Sequence, residues 1–127
     1  MQGISRRAAI TVSLFALLTL PLGTLIARAH SQTYRSNLTV HWDKKTDTFE
    51  GHVGTASFCQ EGRRITVRVS GTNAVVGSTT SGHAGQWSGV SVPGPGTYYA
   101  TVDQTSDGGY GADHTCLGDT SNTVTVR

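Results

Sequence analysis

The stretch Arg64-Ile65-Thr66-Val67-Arg68-Val69-Ser70 decides the fold class. Ile65, Val67 and Val69 recur at every second position, and Arg64, Thr66 and Arg68 fill the gaps. That is the period of a strand with one buried and one wet face, whereas a helix sets its apolar residues three and four apart. The same period recurs upstream. Leu38, Val40 and Trp42 face inward along Asn37 to Trp42, as do Phe49, Gly51 and Val53 along Thr48 to Val53. The polar run Asp43-Lys44-Lys45-Thr46-Asp47 between them has turn chemistry and predicts a hairpin. Pairing Trp42 with Phe49 in that hairpin would set His41 beside Glu50 and diagonal to His52.

Downstream, a weaker strand is expected from Ala74 to Thr79. Another follows from Gln86 to Val92, where the inward parity changes between Trp87 and Val90 and predicts a bulge at Gly89. Ser81-Gly82-His83-Ala84-Gly85 reads as the turn leading into it. Pro93-Gly94-Pro95-Gly96 ends that strand, Thr97 to Asp103 buries Tyr98, Ala100 and Val102, and Thr123 to Arg127 buries Val124 and Val126. From His30 onward the chain holds 16 Thr, 10 Ser and 11 Val against two Leu and no Met, so β-branched residues prevail and helix formers are scarce. Seven short strands with frequent turns predict an all-β fold, a seven-stranded antiparallel Greek-key β-sandwich.

The first 29 residues have a different character. Arg6-Arg7, the uncharged stretch Ala8 to Leu20, Pro21 and the small-residue site Ala27-Arg28-Ala29 form the three-part layout of a secretory signal peptide. The 13 residues from Ala8 to Leu20, ahead of Pro21, are short of the roughly 20 that span a bilayer. The expected organisation is a signal peptide over 1–29 and one domain over 30–127, secreted or at the cell surface and not inserted in the membrane after cleavage. Removing Arg6, Arg7 and Arg28 leaves seven basic and eight acidic residues, a formal charge of −1. That balance argues against nucleic acid, whose affinity comes largely from Lys and Arg on phosphate. Cys59 and Cys116, an even pair in a small domain bound for an oxidising compartment, read as one disulfide. Metal ligation by two thiolates would want a further Cys pair or C-x-x-C spacing.

The strict immunoglobulin pattern fails, because Ala100 stands where a second Cys would follow Tyr98. Instead Phe49-x-Gly51-x-Val53, Cys59-x-x-Gly62-Arg63-x-Ile65-x-Val67, Gly85-x-Trp87, Gly96-x-Tyr98-Tyr99-Ala100-x-Val102, Cys116 and Ser121-x-x-Val124-x-Val126 follow in order. This succession, from about Asn37 to Arg127, resembles the prealbumin-like or carboxypeptidase regulatory-like β-sandwich modules of bacterial, notably actinobacterial, secreted and surface proteins. The resemblance implies an Ig-like non-catalytic module without a known ligand.

No G-x-S-x-G elbow, convergent acid pair or phosphate cradle is present, so the sequence predicts no enzyme and no cofactor. The expectation is a monomeric extracellular interaction module whose partner is a protein or an envelope polymer. Arg64 and Arg68, with Arg63 nearby, form a basic face. Tyr99 and Tyr110, with Tyr34, are aromatic residues able to stack on sugars. The alternative is a small metal-binding protein. Asp103, Asp107, Asp113 and Asp119 lie in a Gly-rich loop that could offer oxygens to Ca²⁺. His30, once exposed by cleavage, could bind copper through its amine and imidazole with help from His41, His52, His83 or His114. The segment from His30 to Arg35 is polar and expected to be mobile.

Overall fold

The computed structural model describes residues 30–109 and 112–127. It is all-β, with antiparallel pairing in every register it defines. Ten strands are present among the described residues: β1 (His30–Tyr34), β2 (Asn37–Asp43), β3 (Thr48–Gly54), β4 (Arg64–Val69), β5 (Val75–Thr80), β6 (Gln86–Ser91), β7 (Gly96–Val102), β8 (Thr105–Gly109), β9 (Ala112–Cys116) and β10 (Asp119–Val126). They form sheets ordered β2-β3-β6, β10-β7-β4-β5 and β1-β9-β8.

The seven expected strands are β2 to β7 and β10, and they make up the two larger sheets. The count of seven is corrected to ten by the third sheet. Its hairpin β8–β9 occupies the Asp- and Gly-rich loop, and its β1 is the segment expected to be mobile. Among the described side chains of these three strands, the one buried apolar residue is Cys116. Backbone pairing holds them, and Leu117 N donates to the Tyr34 carbonyl at 2.9 Å.

One core lies between the two larger sheets. Leu38, Val40, Phe49, Val53, Trp87 and Val90 from one meet Ile65, Val67, Tyr98, Ala100, Val102 and Val126 from the other. Trp42 pairs with Phe49, the register that sets His41 beside Glu50. The bulge falls where expected, since Phe49 pairs with Val90 and Gly51 with Trp87, leaving Ser88 and Gly89 opposite Glu50. Gly89 has φ +87°, a conformation costly for residues with a Cβ. A Cβ on Gly51 would collide with the Thr39 carbonyl oxygen and the Trp87 ring. Tyr98 donates its hydroxyl to the Gly94 carbonyl at 2.7 Å, satisfying a buried polar atom at the turn.

Two residues depart from the expected faces. Thr66, read as outward, is buried between its neighbours Ser78 and Thr101 on the central strand β4. Arg63 is not part of a basic face: it is 2% exposed and lies beside the Cys59–Cys116 disulfide.

The flanks of the two sheets differ. Along β2 and β10, the Leu38 amide donates to Asp119 Oδ2 at 2.8 Å, and Val40 exchanges bonds with the Asn122 side chain at 3.2 and 3.0 Å. Polar side chains of β10 thus close that seam. On the opposite seam β5 packs against β6, and a groove opens there.

Candidate functional site

The groove has a volume of about 570 Å³. The pairing of β2 with β3 places His41 opposite Glu50 on the outer face, and His41 Nε2 donates to Glu50 Oε1 at 2.7 Å. Thr79 and Thr80, at the end of β5, line it on one side, and Gln86 and Ser88 of β6 line it from the other sheet. Trp87 contributes a wall residue that is only 3% exposed, and its indole N–H has no hydrogen-bond partner. Buried N–H groups are nearly always satisfied, so an unpaired one beside a groove is notable. The arrangement offers one carboxylate, one imidazole and several groups that both donate and accept.

His52 stands diagonal to His41, as the hairpin register demands, but its Nε2 donates to the Ala84 carbonyl at 2.8 Å. Ala84 belongs to the turn before β6, where it has φ 65°. His83 faces Glu61 at 3.9 Å and is almost fully exposed. Neither lies in the groove. His30 opens β1, and its side chain is outside the described residues, as is that of Asp107. Tyr110 lies outside the described residues altogether.

The remaining acids separate. Asp103 is exposed just past β7, Asp113 is exposed on β9, and Asp119 is engaged with the Leu38 amide. Among the described residues, no three His, Cys, Asp or Glu side chains come together to hold a metal ion.

Arg68 and Tyr99 are cross-strand neighbours on β4 and β7. Both end on Asn73: Arg68 Nη1 donates to its carbonyl at 3.1 Å and Tyr99 to its Oδ1 at 2.7 Å. Arg64 is exposed opposite Thr80 of β5. Tyr34 meets Phe58 with ring centroids 4.5 Å apart, and Phe58 meets His114 at 4.8 Å, beside the disulfide.

The disulfide end is organised by Arg63. Its guanidinium donates to Ser36 Oγ at 3.2 Å and to the carbonyls of Cys59, Asp103 and Leu117 at 2.9 Å each, and of Cys116 at 3.4 Å. Burial pushes its pKa below the ordinary guanidinium value, with Asp103 opposing the shift. The only other displaced group is the carboxyl of Asp43 among those resolved, held below its ordinary value chiefly by the Lys45 amide at 2.9 Å and the Thr46 hydroxyl.

Sequence reasoning placed His41 and Glu50 together but missed Thr79, Thr80, Gln86 and Ser88, as well as Phe58. Outward polar residues carry no sign of which strands will flank them. Arg63 did carry a signal, because it shares the parity of Ile65 and Val67 on the inward face.

No protein-family model, curated protein or solved structure matches this chain.

Proposed function

We propose that the chain is a secreted, non-enzymatic extracellular or cell-surface interaction module, and that the groove between β5 and β6 holds its ligand. The observation that carries this reading is the groove itself, whose 570 Å³ falls within the roughly 300–1,000 Å³ of ligand pockets. A binding role is favoured over catalysis by the local chemistry. A nucleophile needs a base within hydrogen-bond reach, and among the described residues no hydrogen bond joins His41 or Glu50 to Thr79, Thr80 or Ser88.

Export with cleavage after Ala29 is supported by the basic, apolar and small-residue parts of the leader. A disulfide suits an oxidising compartment, and among the described residues no helix is long and apolar enough to cross a membrane. The sheet orders β2-β3-β6 and β10-β7-β4-β5, with the Tyr98 to Gly94 bond at the turn, support the finer reading of a Greek-key, prealbumin-like or Ig-like sandwich.

Co-sedimentation of the purified domain over residues 30–127 with washed, insoluble bacterial envelope material tests this reading. Retention in the pellet is expected, with release by Ser88→Trp, which fills the groove from an exposed position. Absence of retention, or turnover of ester, peptide or glycoside substrates abolished by one substitution, would overturn it.

A further inference from the structure

We infer that the groove takes a neutral, hydroxyl-rich chain, a segment of uncharged oligosaccharide; this rests on reading the groove as the binding element. Charge is the first argument. Glu50 is the one acid lining the groove, and no Lys or Arg lines it. An anionic polymer would meet a carboxylate among the lining residues, and the exposed Arg64, opposite Thr80, stands outside that lining. A cationic ligand would compete for Glu50 with His41, which already donates to Oε1 at 2.7 Å.

Hydrogen-bonding capacity is the second. The exposed Thr80 and Ser88 carry hydroxyls that each donate once and accept, and the amide of the exposed Gln86 does both. Sugar hydroxyls have the same double character, so each contact can form in either sense. The carboxylate of Glu50 adds an acceptor.

Apolar surface is the third. The groove offers glycine and polar side chains, and its one large apolar residue, Trp87, is buried. An extended peptide draws its specificity from pockets for alternate side chains. No such pocket lines this groove, whereas a sugar chain needs none.

The test is calorimetric titration of the domain over residues 30–127 with soluble β-glucan, xylan, chitin and dextran oligosaccharides. Polygalacturonate serves as the anionic control and a Gly-Ser peptide as the neutral one. At least one neutral oligosaccharide should bind, and Gln86→Ala and Glu50→Gln should each weaken it about three- to tenfold, the effect of one lost hydrogen bond. Thermal unfolding of both variants should match the parent, since both positions lie on the outer face. Binding of polygalacturonate in preference to every neutral chain would overturn the inference. So would neutral binding indifferent to Gln86→Ala, Glu50→Gln and Ser88→Trp. If envelope retention persists and is lost with Ser88→Trp while every neutral oligosaccharide fails, the ligand class is wrong and the module reading stands. If envelope retention is itself absent, the module reading fails.

Discussion

Arg63 Nη1 donates to the backbone carbonyl of Cys59 at 2.9 Å, so a buried cation lies against the backbone of a half-cystine. The same guanidinium reaches the Cys116 and Leu117 carbonyls through Nη2. It therefore joins the turn before β4, the end of β7 and the link from β9 to β10, three segments far apart in the chain. Lysine cannot reproduce this planar fork of donors. Arg63→Lys should cost about 2–3 kcal/mol through buried carbonyls left unpaired. Denaturant unfolding would measure it, and a midpoint equal to the parent's would refute the role given to Arg63.

The Cys59–Cys116 bridge closes a separation of 57 residues and fastens the hairpin β8–β9 to the rest of the fold. In the chain-entropy model a closure of this length is worth about 4 kcal/mol, a large share of a small domain's stability. The double variant Cys59→Ser/Cys116→Ser should unfold at markedly lower temperature, and the intact protein should weigh two hydrogens less than its reduced form. Two freely alkylated thiols in the native protein would contradict the bridge.

The strands that could be read from the sequence are those whose stability comes from a buried stripe. Ile65 and Val67 on β4, or Tyr98, Ala100 and Val102 on β7, announce their inward face by period alone. β1, β8 and β9 hold together through backbone pairing among polar residues, which leaves no periodic trace. The groove is harder still. The adjacency of His41 and Glu50 followed from a hairpin register, a local property, but Gln86 and Ser88 meet them only because β6 pairs with β3 across a long connection, and Thr79 and Thr80 only because β5 comes alongside β6. That is decided by how two sheets pack, and an outward Thr on an edge strand looks the same whether it faces a groove or bulk water.

Gly51 is a position where the core tolerates no side chain. Its added methyl would enter the space of the Thr39 carbonyl and the Trp87 ring. Gly51→Ala should destabilise by about 1–3 kcal/mol, the usual cost of overpacking, and should shift the fluorescence of Trp87. A neutral effect on the unfolding midpoint would mean that β2 and β3 can separate at this point without loss.

Asp43 predicts the sign of one contribution to acid sensitivity. Its carboxyl is held below its ordinary value by the Lys45 amide and the Thr46 hydroxyl, so folding favours the ionised form. The contribution is present above the ordinary carboxylate value and is lost as pH falls through the depressed folded value. Asp43→Asn should therefore lower the neutral plateau slightly and flatten the acid limb, the variant and parent converging in stability at low pH. A steeper acid limb in the variant would reverse the sign.

The copper alternative turns on whether any internal imidazole is free to join His30. His41 Nε2 is committed to Glu50 and His52 Nε2 to Ala84, so copper would displace a hydrogen bond at either. His114 packs against Phe58, and His83 is exposed beside Glu61 on the turn before β6. N-terminal sequencing of exported protein should find His30 first. Titration with Cu(II), followed by the spectrum of the bound ion, should then report a site made by the terminal amine and imidazole alone. Adding one residue before His30 should abolish it, and Ala at His41, His52, His83 or His114 should leave the affinity unchanged. A preorganised centre behaves otherwise, because its affinity depends on each ligand that the fold holds in place. One internal His→Ala substitution that removed tight binding would make metal capture, rather than the groove, the basis of the protein's function.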